Sequence, residues 1–274
     1  MNLSHPPSSK PTPPRAAKGR KPESGSSRLP AGWLLTGLVV AAVGMSGCRT
    51  TLPRQWANFK AYYNTFYNAK TTFEAGLEAN QKVELEFVEG RPIRIFSPPG
   101  QAGKQEFANT IEKGADILRD HEESDYVDPA LFLIGKAYFY RTEYFSALQK
   151  FEELARVTED PEFRQLAVFW KSRTLYQLNQ FDTGIAYTSD ELLQLDGWDP
   201  KIEARTALML AEHHVVRENV ASAIRLLDPA LPQIEDRTER ARGYFLLGQM
   251  LERQGDPVAA EKAYDQVARS KVEY

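Results

Sequence analysis

The chain has 274 residues, with 34 Lys and Arg against 37 Asp and Glu, a formal net charge of −3 and one cysteine. A mildly acidic, evenly mixed composition argues against nucleic acid as a partner, because holding phosphates needs a basic patch. A single thiol excludes a disulfide framework, so the fold must rest on its core.

Residues 1–47 read as an export signal with a basic, disordered leader. Lys10, Arg15, Lys18, Arg20, Lys21 and Arg28, against the single acid Glu23, precede the uncharged run AGWLLTGLVVAAVGMSG, Ala31–Gly47. A positive flank, a short apolar core and small residues at its end are the parts of a bacterial signal peptide. The closing Met45-Ser46-Gly47-Cys48 resembles the lipobox of bacterial lipoproteins, with Met45 where that motif usually carries Leu. The resemblance implies cleavage before Cys48 and acylation of its sulfur, and two or three acyl chains anchor firmly where one does not. Loss of the leader brings the net charge to −8. Arg49 stands where Asp would signal inner-membrane retention in the proteobacterial scheme. The expected place is therefore the cell envelope, lipid-anchored on the outer membrane and facing the periplasm. The alternative for the same 17 residues is an uncleaved spanning helix, at the lower end of the roughly 17–25 such a helix needs.

Residues 48–54 form a short tether. Gln55–Lys82 is predicted helical: Phe59, Tyr63, Phe66, Tyr67 and Phe73 recur at steps of three and four, one face at the helical period. In Val83–Gly103 the period lapses. Val83, Leu85 and Phe87 alternate with glutamates, and Ile93 and Ile95 flank Arg94, so a small β-hairpin or a long loop is expected, closed by Pro98-Pro99-Gly100. From Lys104 the helical period returns and continues. The helix Lys104–His121 pairs with Gln55–Lys82, giving a first unit over 55–121 with its insertion at 83–103, and repeats follow over 122–274.

Internal similarity organises that second part. Gly135, Ala147 and Phe151 recur as Ser172, Gly184, Thr188; as Ala211, Ala223, Leu227; and as Gly248, Ala260, Tyr264, with the starting marks 37, 39 and 37 residues apart. A small residue on each helix of a pair permits close approach, and a large one four positions on plugs the gap to the next pair. The pattern resembles the tetratricopeptide repeat, on Gly135, Tyr138, Ala147 and Phe151 and on Gly248, Ala260 and Tyr264, with a period longer than that family's typical 34. It implies an all-α solenoid of about five antiparallel helix pairs. The stretch FANTIEKGADILRDHEESDYVDPALFLIGKAYFYRTEYFSALQKFEEL is similar to the opening repeats of BamD-type outer-membrane assembly lipoproteins. AYYNTFYNAKTTFEAGLE is similar to the start of Bacteroidota tetratricopeptide lipoproteins. These resemblances imply a scaffold for outer-membrane protein assembly or secretion, although the 83–103 insertion departs from the BamD pattern.

No catalytic constellation is present, and neither a cofactor nor a metal is expected. His213-His214 lies in LAEHHVVRE, which is not HExxH, and adjacent helical positions point about 100° apart. Glu152-Glu153 and Asp190-Glu191 read as helix-surface acids, and Asn64 and Asn68 as contacts to a neighbouring helix. Partner binding is expected on the inner wall formed by the first helix of each pair. Its candidates are the polar residues Lys136, Tyr140, Lys171, Arg173, Gln249 and Arg253, among which basic residues recur, a wall suited to acidic or C-terminal carboxylate groups of extended peptide segments or envelope proteins. Beyond the last pair no capping helix is evident, so Val258, Tyr264 and Val267 either face water or dock a partner. The alternative function is a peptidoglycan- or glycan-binding lipoprotein using Tyr62, Tyr63, Tyr67 and the insertion.

Overall fold

The computed structural model describes residues 65–80 and 90–270, with Phe59, Val88 and Val272 as single positions. The signal, Cys48, the tether, Tyr62, Tyr63, Asn64 and Val83–Phe87 lie outside the described residues. Among the described residues there are ten α-helices and no strand. They are α1 (Tyr67–Asn80), α2 (Lys104–Asp120), α3 (Val127–Tyr140), α4 (Tyr144–Val157), α5 (Pro161–Gln177), α6 (Phe181–Gln194), α7 (Pro200–Val216), α8 (Val220–Ala230), α9 (Arg237–Gln254) and α10 (Pro257–Ser270). A 3-10 turn, Leu231–Gln233, leads from α8 towards α9. No helix among these residues is long and apolar enough to cross a membrane.

The helices pair in sequence order, α1 with α2 through α9 with α10, and each pair packs on the next. Local chemistry sets the starts. Asp160, Asp199 and Asp236 cap α5, α7 and α9 by accepting from Glu162 N, Lys201 N and Glu239 N at 2.8, 2.9 and 2.8 Å, which satisfies amides left orphaned in a first turn. Pro161 and Pro200 occupy the first helical position, where no donor is needed.

The turn within each later pair is one motif used four times. Thr142, Asn179, Glu218 and Gly255 sit at φ 66, 58, 57 and 88°, each just past the end of a first helix. The next amide then bonds back over the helix end, Glu143 N to Tyr138 O, Gln180 N to Leu175 O, Asn219 N to His214 O and Asp256 N to Leu251 O, at 2.9–3.0 Å. This is the left-handed helix stop that glycine serves best. Thr142 is branched at Cβ and pays most to adopt it. We expect Thr142→Gly to raise the unfolding free energy by about 1 kcal/mol in urea denaturation, and Asn179→Gly to change little, because Asn tolerates this conformation.

The repeat marks meet as the spacing requires. A Cβ on Gly135 would stand 2.6 Å from the Phe151 ring, and one on Gly248 would stand 2.3 Å from Tyr264. Ala147, Phe151, Ala211, Ala223 and Leu227 are fully buried. The weakest unit is completed by polar contacts: Thr188 Oγ1 donates to Ser172 Oγ at 2.7 Å, and His213 from the following pair lies against Gly184. In the first pair Gly76 meets Phe107, and Phe73, Phe107 and Tyr140 form an aromatic cluster. Of the aromatic face on α1, Phe73 is buried, whereas Tyr67 is exposed.

The described part of the insertion, Gly90–Gly103, is irregular extended chain, matching the loop alternative over those residues. It re-enters α2 through Gly103 (φ 78°), where a side chain would strike the Gly76 carbonyl.

Candidate functional site

The segment Arg91–Pro99, here called the strap, lies across the first helices of the array, and its apolar residues belong to the main core. Ile95 and Phe96 are 0 and 2 % exposed and join the cluster that contains Phe139, Phe151, Trp170, Leu208 and Met250. A buried extended segment without a sheet partner must find its main-chain hydrogen bonds elsewhere. Here side chains of the helices supply them.

From the C-terminal end of the array inward, Arg253 Nη2 donates to Gly90 O at 3.0 Å. The Gln249 carboxamide donates to Arg91 O at 3.0 Å and accepts from Ile93 N at 2.9 Å, the two-point pattern that one strand offers another. Glu212 Oε1 on α7 accepts from Ile95 N and Phe96 N. Arg173 Nη2 on α5 donates to Ser97 O at 2.9 Å, and Arg242 Nη1 on α9 donates to Ser97 Oγ at 2.7 Å. Asn80, at the end of α1, closes the row: its carboxamide donates to Gly100 O at 3.0 Å and accepts from Gly100 N at 2.9 Å.

Side chains of the strap fall into distinct environments. The Phe96 ring stands edge-on to Phe169, with centroids 5.4 Å apart, and the Arg173 and Arg205 guanidinium carbons lie 5.6 and 5.7 Å from its centre. Arg94 lies 4.5 Å over the Tyr176 ring. A cavity of about 310 Å³ is lined by Arg94, Tyr176, Glu212, Val215, Leu246 and Arg253, among others. Arg94 Nε and Nη2 and Glu212 Oε2 are buried there without hydrogen-bond partners. Burial raises the Glu212 carboxyl above the usual carboxylate range, against the opposing pull of Arg94 and the two amides.

The six residues nominated from sequence divide. Arg173, Gln249 and Arg253 hold the strap main chain. Lys136 sits at the centre of the first-helix faces, its ammonium 4.7, 5.2 and 5.4 Å from the Phe73, Phe132 and Trp170 rings. Desolvation, aided by Arg173 and Arg205, brings its pKa down to about 8. Tyr140 packs among Phe73, Phe107, Phe139 and Trp170 and its hydroxyl reaches Arg173. Lys171 is apart from them, bridged to Glu152 at 3.0 Å and lying over Tyr187 on α6. Sequence reading passed over Asn80, Glu212 and Arg242. Glu212 had a signal, a carboxylate inside the apolar stretch LMLAEHHVV.

His213 is fully buried, with Nε2 3.1 Å from the Ser172 carbonyl oxygen, to which it donates, and its ring facing Tyr176 and Phe181. His214 is half-buried beside Asn219. Among the described residues no group of three or more His, Cys, Asp or Glu side chains could hold a metal ion. Asn68 is exposed on α1, and Glu152, Glu153 and Asp190 engage Lys171, Lys150 and Gln194.

These helix pairs, their common turn and their interlocking marks make the described residues an all-α solenoid of the tetratricopeptide type. No protein-family model matches the chain, and no curated protein does. Solved structures with a related course include a MamA RS-1 ArsTM double mutant, at 13% identity and TM-score 0.49, covering 74% of this chain and 94% of that one. Another is MamA 41-end from Desulfovibrio magneticus RS-1, at 14% identity and TM-score 0.48, with coverage of 75% and 98%. A crystal structure of MamA aligns at 14% identity and TM-score 0.48, over 61% and 90%.

Proposed function

We propose that this protein is a scaffold for protein–protein interaction, held at the cell envelope by lipid on Cys48 and serving outer-membrane protein assembly or secretion. The observation that carries the scaffold reading is the row of first-helix side chains, Asn80, Arg173, Glu212, Gln249 and Arg253, that grips the main chain of an extended segment. Such contacts read peptide backbone and suit a partner that arrives extended. The anchor and its compartment rest on the MSGC sequence and on the resemblance to BamD-type lipoproteins.

Two measurements test the reading. Intact mass of membrane-extracted protein should match residues 48–274 plus two or three acyl chains, and Cys48→Ala should lose them; a full-length, lipid-free mass would remove the anchor. Affinity purification through a C-terminal tag should recover an outer-membrane protein, and recovery of no membrane-protein partner would remove the scaffold. The rival, a glycan-binding face, has in its favour the exposed Tyr67 ring. It requires that the protein sediment with purified cell wall, from which the scaffold should stay free.

A further inference from the structure

Ser97 is the one strap residue held by two helix arginines. Two guanidiniums converge on it, Arg173 on its carbonyl oxygen and Arg242 on its hydroxyl. Neither forms an ion pair with a carboxylate of the described residues, while Glu239 is committed to Arg205 by two hydrogen bonds of 2.7 and 3.0 Å. Arg173 is 7 % exposed and its Nε lacks any partner. A buried cation with no carboxylate in direct contact is costly, and a carboxylate beside the two guanidiniums would add the opposite charge and the two-oxygen acceptor geometry that a hydroxyl lacks. The strap also leaves Arg94 Nε and Nη2 and Glu212 Oε2 unsatisfied. Apart from the buried Ile95 and Phe96 side chains and the Arg94 contact with Tyr176, its hold is on main-chain atoms, which any extended peptide presents.

Resting on the scaffold reading, we propose that the inner wall binds an extended acidic partner segment patterned aliphatic–any–aliphatic–aromatic–acidic. The strap, Ile93-Arg94-Ile95-Phe96-Ser97, is the chain's own weaker occupant of that site, and the partner displaces it. The aliphatic and aromatic positions follow from the sites of Ile93, Ile95 and Phe96, and the acidic one from the two guanidiniums at Ser97. Because the strap is tethered, it competes at an effective concentration on the order of millimolar. A partner therefore has to gain its advantage from the carboxylate.

The test uses the full chain and two labelled synthetic peptides, GRPIRIFSPPG, which copies Gly90–Gly100, and the same peptide with Asp in place of its Ser. Fluorescence anisotropy should show the Asp peptide binding at least tenfold tighter than the Ser peptide. Arg242→Met should bring the two together. Ser97→Asp in the chain, which gives the strap its own carboxylate, should weaken the Asp peptide at least tenfold without unfolding the protein. Hydrogen exchange on the unmodified protein supplies a readout that needs no variant. The Ile93, Ile95 and Phe96 amides should exchange through an opening that leaves α5 and α7 protected.

Equal affinity for both peptides would overturn the proposal, as would strap amides that exchange only together with the helices. Absence of peptide binding, alongside a captured envelope partner in the purification above, would also overturn it while leaving the scaffold standing.

Discussion

Phe151→Ala should lower the unfolding free energy by about 3–5 kcal/mol, the usual cost of emptying a buried phenylalanine site. The ring is fully buried, stacked on Trp170 with centroids 5.9 Å apart and pressed against Gly135, whose missing side chain makes the space. Its equivalents in the later repeats should form a graded series. Leu227→Ala, at a fully buried site, should cost about 2–5 kcal/mol. Thr188→Ala removes one buried hydrogen bond to Ser172 and should cost about 1 kcal/mol. Tyr264→Ala belongs near the low end as well, since that ring is half-exposed and its hydroxyl bonds Glu252 at the surface. Urea midpoints at constant m value would give the ranking. Equal losses at all four positions would mean that the marks do not interlock as described.

Acid should destabilise the protein through His213. Burial depresses this imidazole from 6.5 to about 4, so the folded state refuses a proton that the unfolded chain accepts. The stabilisation is whole above pH 6.5 and is lost as the pH falls to about 4, a change on the order of 3 kcal/mol at about 1.4 kcal/mol per pH unit. His214, lowered by partial burial and by Arg225, acts in the same direction. Glu212 acts oppositely. Its raised carboxyl keeps a proton in the folded state after the unfolded chain has released it, so its contribution is present at low pH and lost as pH rises above the ordinary 4.5. Urea midpoints between pH 4 and 8 should therefore show His213→Gln flattening the acid slope and Glu212→Gln steepening it. A Glu212→Gln profile parallel to the wild type would mean that the carboxyl titrates normally.

The solenoid was legible because its determinants are local and periodic. Ala147 and Phe151 sit one helical turn apart with Gly135 facing them from the paired helix, and the recurrence of that triplet every 37–39 residues carries the stacking with it. The turns were legible only in part: glycine at 255 announces a left-handed stop, but Thr142 and Glu218 adopt the same conformation against their own preference. The strap was not legible at all as a core element. Alternating Ile-Arg-Ile between prolines spells strand or loop, and nothing nearby in sequence says that Gln249 and Glu212, 156 and 117 residues distant, will take the place of a neighbouring strand. Of the wall, the basic positions Arg173 and Arg253 could be found by helical register. Lys171 shares the helix but turns to Glu152, two positions being enough to swing a side chain through about 200°.

A repeat array held only by contacts between successive pairs behaves as a spring: each end can fray, and the whole can flex or wind without breaking any one interface. In this protein a chord is drawn across the coil. The same short segment is fastened to α9 by Gln249 and Arg253 and to α1 by Asn80, so the first and last turns are tied by a rod through the middle. With the rod in place, the coil has to lengthen or lose its end turn as one body.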